Sequence, residues 1–230
     1  MIKHRWIWWK IFMGFTHVYM RLIHRMKIRG KKHIPERGAI FYLLHNGDND
    51  VIYFLSAFRK PIGVFTAIGN GIFADLMEHI YGWVPRRGTR EVMVEKMIRS
   101  ILKKNRYFVM WPEGTPSRDG VPMEAFSGIA RVYGTLNAHK NIIPFQPVLM
   151  RGSETYLHRN DNRKWKILVE YLKPFYLPRD WLQPPEKGGK TPREIINAVM
   201  LVLAKKAGYE KLKKNPRLEW RRKLKGRPWK

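Results

Sequence analysis

Ala39-Ile40-Phe41-Tyr42-Leu43-Leu44-His45-Asn46-Gly47-Asp48-Asn49-Asp50 is the stretch that decides the fold. Six consecutive apolar residues read as a strand buried on both faces, the kind found inside parallel sheets. Pro35 and Gly38 bound it on one side, and Asn46-Gly47 marks a turn on the other. Asp50 then opens a helical stretch that runs to residue 58. Four more short apolar runs follow, at residues 62–66, 107–111, 141–148 and 165–172. Pro144 and Pro147 push the run at 141–148 toward a strand end or a sheet edge. Helical stretches fall between these runs, at 71–81, 90–104 and 127–136. The second has Val94, Met97, Ile98, Ile101 and Leu102 at helical period. Thr191-Pro192-Arg193-Glu194 opens a further helix, with Thr as N-cap and Pro in the first turn. Alternating strands and helices predict an α/β fold, with a mostly parallel or mixed central sheet flanked by helices. Residues 34–204 form this single domain. An N-terminal amphipathic helical element (1–33) precedes it and a basic C-terminal tail (205–230) follows.

The 230 residues carry 45 Lys and Arg against 18 Asp and Glu, a formal net charge of +27. Hydrophobic residues make up 44% of the chain, which excludes global disorder. The absence of Cys excludes a disulfide scaffold, thiolate zinc sites and a Cys nucleophile. A charge this high calls for a polyanionic partner, either nucleic acid or an anionic membrane face. Most of it sits on the flanks. Residues 1–33 hold nine Lys and Arg and no acid, and residues 205–230 hold twelve against Glu210 and Glu219.

The first flank is also apolar, with Trp6, Trp8, Trp9, Phe12, Phe15 and Leu22 among its residues. Lys10 and Arg21 interrupt it too soon for a membrane-spanning helix. Trp, Lys and Arg interleaved suit a helix lying in the headgroup region. An aromatic helix packed on the domain, its charges snorkelling into water, is the alternative. The C-terminal flank, with Trp220 and Trp229, suits anionic lipid, RNA or plain solubilisation.

Two polar clusters stand at strand ends, where open α/β sheets place their sites. The first is His45-Asn-Gly-Asp-Asn-Asp50. If His45 caps the strand and Asp50 enters the helix, the carboxylate folds back on the imidazole. An Asp bonded to Nδ1–H fixes the tautomer and leaves Nε2 as a base. A strand-end His and a helix-start Asp with no shared chemistry are the plainer alternative. His45, Asp48 and Asp50 also offer metal donors, but no further His or Glu stands at ligand spacing, and no metal is expected. The second cluster is Pro112-Glu113-Gly114-Thr115-Pro116-Ser117-Arg118. Gly114 allows close backbone approach to a ligand, Thr115 and Ser117 offer hydroxyls, and Arg118 offers a charge. Arg86 and Arg87, between Pro85 and Gly88, suit a bidentate phosphate clamp or an ordinary basic surface pair.

Together and in this order, the clusters resemble the glycerolipid acyltransferase family, which includes the 1-acyl-glycerol-3-phosphate acyltransferases. His45 and Asp50 match its Asn-His-x4-Asp block, and Gly82-Trp-Val-Pro-Arg86-Arg87 is similar to its second block. Trp111-Pro-Glu-Gly-Thr-Pro-Ser117 is similar to its Phe-Pro-Glu-Gly-Thr-Arg-Ser block, and Pro144-Phe-Gln-Pro147-Val148 to its fourth. The resemblance covers roughly residues 25–175. It implies an acyltransferase in which His45 is the general base and Asp50 orients it. The donor would be acyl-CoA or acyl-carrier protein, as a co-substrate and not a bound cofactor. The acceptor would be a lysophospholipid. Arg87, with Arg86 as alternate, would hold the acceptor phosphate, and Glu113 and Gly114 would shape that pocket. Thr115, Ser117 and Arg118 complete the expected substrate-binding set. Leu44 stands where the family has Asn, and Pro116 where it has Arg. Phe126-Ser127-Gly128 is shorter than the family's Phe-Lys-x-Gly. These departures leave another lipid acceptor open. The expected location is the cytoplasmic face of the cytoplasmic membrane, peripheral or monotopic, with the anionic surface as partner. No nucleic acid is then expected, although a basic nucleic-acid or membrane binder without catalysis remains the competing class.

Overall fold

The computed structural model describes residues 2–47, 50–58, 60, 62–66, 84–85, 90–101, 107–117, 120–138, 143–153 and 166–219. The helix expected at 71–81 lies outside the described residues. Seven strands form one sheet: β1 (Lys27–Arg29), β2 (Ala39–Leu43), β3 (Gly63–Thr66), β4 (Val84–Pro85), β5 (Tyr107–Met110), β6 (Phe145–Arg151) and β7 (Leu168–Tyr171). Their order is β1-β7-β6-β2-β5-β3-β4. Every pairing is parallel except β6 with β7, so β1 and β7 run against the other five.

Alternation along β2 explains the layers. Ala39, Phe41 and Leu43 point to one face, where they meet α1 (Ile2–Ile23) and α2 (Asp50–Phe58). Ile40 and Tyr42 point to the other, where they meet α3 (Arg90–Ser100), α4 (Gly128–Ala138) and α5 (Pro192–Ala207). A five-residue strand with no exposed side chain is possible only where helices cover both faces. The expected α/β architecture is thus observed. α5 starts as its sequence predicts. Thr191 Oγ1 accepts from Glu194 N, and Glu194 Oε2 accepts from Thr191 N, a reciprocal capping box.

Three expectations need correction. Lys27–Arg29, expected within the N-terminal helical element, forms β1 instead, because α1 ends at Ile23 and the chain turns through Arg25 with φ 45°. Gly30 follows with φ 69°, and a Cβ there would lie 2.0 Å from the Tyr171 carbonyl oxygen. Of the strand end or edge expected for the run at 141–148, Pro144 does stand just before the start of β6, but β6 lies inside the sheet with Pro147 within it. The Pro147 carbonyl accepts from Leu172 N, so the position lacking an N–H faces the β7 side, one residue before that ladder starts at Val148. The ladder to β2 is therefore left whole on that residue's other side. The tail is not uniformly a tail either: α5 runs to Ala207, and the described chain beyond it, to residue 219, packs back on the domain.

Phe41 is wholly buried and its ring meets those of Phe54, Phe58, Tyr107 and Tyr171. Phe41→Ala is expected to destabilise the fold by about 3–5 kcal/mol, measured as a shifted urea midpoint.

Candidate active site

β2 and β5 are neighbours, but their exits diverge. The chain leaving β2 enters α2 on one face, and the chain leaving β5 reaches α4 on the other. A crevice forms at such a switch point, outside the carboxyl ends of the strands. His45 follows β2 there and Glu113 follows β5.

His45 and Asp50 come together across the turn. His45 Nδ1 lies 3.1 Å from Asp50 Oδ2. The same oxygen accepts from the backbone N–H groups of Asn46 at 2.8 Å and Gly47 at 3.0 Å. Asp50 is fully buried at the first turn of α2, where the helix N-terminus favours its charge. Gly47 is required by space, since a Cβ there would sit 2.8 Å from the Ser153 carbonyl oxygen. An ionised Asp50 can only accept, so Nδ1 carries the proton and Nε2 is left with a lone pair. The imidazole retains 17% of its surface and lies beside the Trp111 ring, 5.9 Å between centroids.

The second cluster holds the first. Glu113 Oε2 accepts from His45 N at 2.5 Å, and Ser117 N donates to His45 O at 2.7 Å. Glu113 Oε1 accepts from Met123 N at 2.7 Å. Glu113 has no exposed surface and both its oxygens accept from backbone N–H groups, so it acts on the site by bracing the His45 backbone from within the protein. Ser117 is likewise buried, and its hydroxyl donates to Val121 O. Gly114 and Thr115 stay partly exposed. Gly114 has φ 68°, and a Cβ would meet the Phe126 ring at 2.8 Å. Arg86, Arg87 and Arg118 lie outside the described residues, as does Asp48. Among the described residues no group of three or more His, Asp and Glu is placed to hold a metal ion.

Sequence reasoning missed Asn215 and Arg217. Asn215 Nδ2 donates to Glu113 O at 3.0 Å and to Glu124 O at 2.8 Å, and Arg217 Nη1 donates to Gly114 O at 2.8 Å. Asn215-Pro216 carries a legible helix-start signal, but nothing local names a partner about a hundred residues earlier.

Burial, with the nearby Asp50 charge, pushes the Glu113 carboxyl up to about 8, against the pull of its two backbone donors. The folded state then holds one more proton than the unfolded chain between about 4.5 and 8. That contribution is complete below the lower value and is lost as pH rises through the upper one. Wild type minus Glu113→Gln stability, from urea unfolding at a series of pH values, is expected to fall across this window and level off above it.

Residues 25–151 match the family model described as Acyltransferase. A 166-residue stretch is 28% identical to the 1-acyl-sn-glycerol-3-phosphate acyltransferase of Limnanthes douglasii, covering 68% of this chain and 56% of that protein. The chain thus spans little more than half the length of this relative. The fold is similar to the crystal structure of PlsC, the 1-acyl-sn-glycerophosphate acyltransferase of Thermotoga maritima. The TM-score is 0.58 at 18% identity, over 89% of this chain and 81% of that one.

Proposed function

Because the chain belongs to the Acyltransferase family, we propose that it moves a fatty acyl group from a thioester to the hydroxyl of a lysophospholipid, 1-acyl-glycerol-3-phosphate first. Acyl-CoA or acyl-carrier protein is the donor. The observation that carries this reading is the His45 Nδ1–Asp50 Oδ2 contact, which leaves Nε2 as the free basic nitrogen. Nε2 takes the proton of the acceptor hydroxyl as its oxygen attacks the thioester carbonyl. The tetrahedral intermediate collapses with loss of thiolate, and the imidazolium returns the proton to sulfur. Asp50 stabilises the imidazolium while it lasts. No covalent acyl-enzyme is needed, because the acceptor itself is the nucleophile. The Limnanthes relative supports the choice of acceptor. Pro116, in place of the Arg of the similar motif, favours testing other lysolipids beside it.

His45→Ala is expected to lower kcat/KM for thioester consumption by about 10²–10⁴-fold. Wild-type turnover in that variant, across a panel of lysolipids scored by product mass, would remove His45 as the base.

The same reading places the enzyme on an anionic membrane surface, on the cytoplasmic side where thioester donors are soluble. Among the described residues no helix is long and apolar enough to cross a membrane. α1 supports docking from one side. Met13 and Met20 face the domain, while Ile11, Phe15, Val18 and Leu22 are exposed, Phe15 by 74% and Leu22 by 72%. Where α1 meets β1, a cleft of about 460 Å³ is lined by Arg21, Arg25, Lys27 and Arg29 beside Met26 and Ile28. Apolar side chains next to cations that have no carboxylate partner among the described residues match the headgroup boundary of anionic lipid. The double variant Phe15→Glu, Leu22→Glu is expected to lower partitioning onto anionic vesicles about 10-fold or more, read by sedimentation. Both positions are exposed, so the melting temperature should hold.

A further inference from the structure

We propose that Arg217, carried on the segment after α5, is a phosphate-binding residue of this active site. The inference rests on the acyl-transfer reading for its substrate, a lysophospholipid bearing a phosphate monoester. Three observations support it.

The segment is built onto the catalytic loop and does not merely lie near it. Lys213 N donates to Pro122 O, and Glu124 N donates to Lys213 O, both at 2.8 Å. Asn215 is fully buried, and its amide donates to Glu113 O and Glu124 O. Its Oδ1 accepts from Arg217 N, and its carbonyl from Leu218 N and Glu219 N. The backbone of Arg217 is therefore held on a helical turn whose first residue is locked into the domain.

The loop it touches is the one that positions the base. Arg217 Nη1 donates to Gly114 O. Glu113, one residue earlier, accepts from His45 N, and Ser117, three residues later, donates to His45 O. Position 116 of the loop is Pro, so the loop itself carries no cation there.

The guanidinium keeps spare donors. Arg217 is exposed, and no carboxylate pairs with it among the described residues. Glu124, whose carbonyl Asn215 holds, pairs its carboxylate with Arg193 at 3.0 Å. A planar fork on an exposed residue, with one nitrogen pinned to a carbonyl and no carboxylate partner among the described residues, is suited to bidentate phosphate binding.

The test compares two ligands that differ only in the phosphate: a short-chain lysophosphatidate and the matching monoacylglycerol. Calorimetric titration of the full chain gives the ratio of their dissociation constants for wild type, Arg217→Met and Arg217→Lys. Wild type should prefer the phosphate ligand. Arg217→Met should lose about 10- to 100-fold of that preference, and Arg217→Lys, with the charge but no fork, should fall between. A preference that survives Arg217→Met, or none in wild type, overturns the proposal. So does an Arg217-dependent preference for CoA over dephospho-CoA without one for lysophosphatidate, because the phosphate would then be the donor's. If Arg217→Met fails to fold, Arg217→Lys decides on the same ratio. Thioester consumption with the same lysophosphatidate separates the two readings. Turnover with an Arg217-independent preference removes the phosphate role alone. An Arg217-dependent preference without turnover of any acceptor removes acyl transfer and leaves the site.

Discussion

Glu113 follows β5 with no exposed surface, and its two oxygens accept from N–H groups of two separate loops, at His45 after β2 and at Met123 before α4. Burying a polar group is costly unless its atoms find hydrogen-bond partners, and here both oxygens find one. Removing it leaves two buried N–H groups without acceptors, each costing about 1–3 kcal/mol. The geometry explains why such a brace is retained. The position of Nε2 follows from the His45 backbone, and that backbone is gripped at its N–H by Glu113 and at its carbonyl by Ser117. Asp50 then sets only the rotation of the ring. Backbone and side chain of His45 are thus held by different acidic residues, Glu113 after β5 and Asp50 at the start of α2.

The +27 charge divides in the same structural terms. At the N-terminal end, Arg21, Arg25, Lys27 and Arg29 gather beside an exposed apolar helix face, an arrangement suited to a surface and not to a single small anion. At the C-terminal end the described part of the flank turns inward, and its cations come with a buried Asn and paired backbone. The two flanks look alike in composition but differ in what their backbones do.

That difference marks the limit of the sequence. β2 was legible because six apolar residues in a row fit a strand buried on both faces, and α2 because Asp50 follows a turn. The start of α5 was legible because a capping box is written in four consecutive residues. His45 and Asp50 were legible as a pair because one turn joins them. What local pattern does not encode was missed. β1 is three residues, two of them charged, and counts as a strand only through its pairing with β7. Pro144 and Pro147 argued for a strand end or an edge, and at Pro147 the outcome turned on which way one absent N–H faced. The burial of Glu113 was not legible, because it is contributed by chain lying far away in sequence.

The contacts of Asn215 with Glu113 and Glu124 span 102 and 91 residues of chain. A contact across such a distance carries a large loop-closure cost and forms only once the intervening structure has brought its ends together. The loop after β5 takes these hydrogen bonds from the segment that follows α5. Without that segment the carbonyls of Glu113 and Gly114 would lack their partners from Asn215 and Arg217. The same segment that completes the loop delivers a cation to it. Under the proposed reading, positioning of His45 and binding of a phosphate are coupled through one short piece of backbone. A lesion at buried Asn215 should then loosen both together, whereas one at exposed Arg217 should touch the phosphate far more than His45.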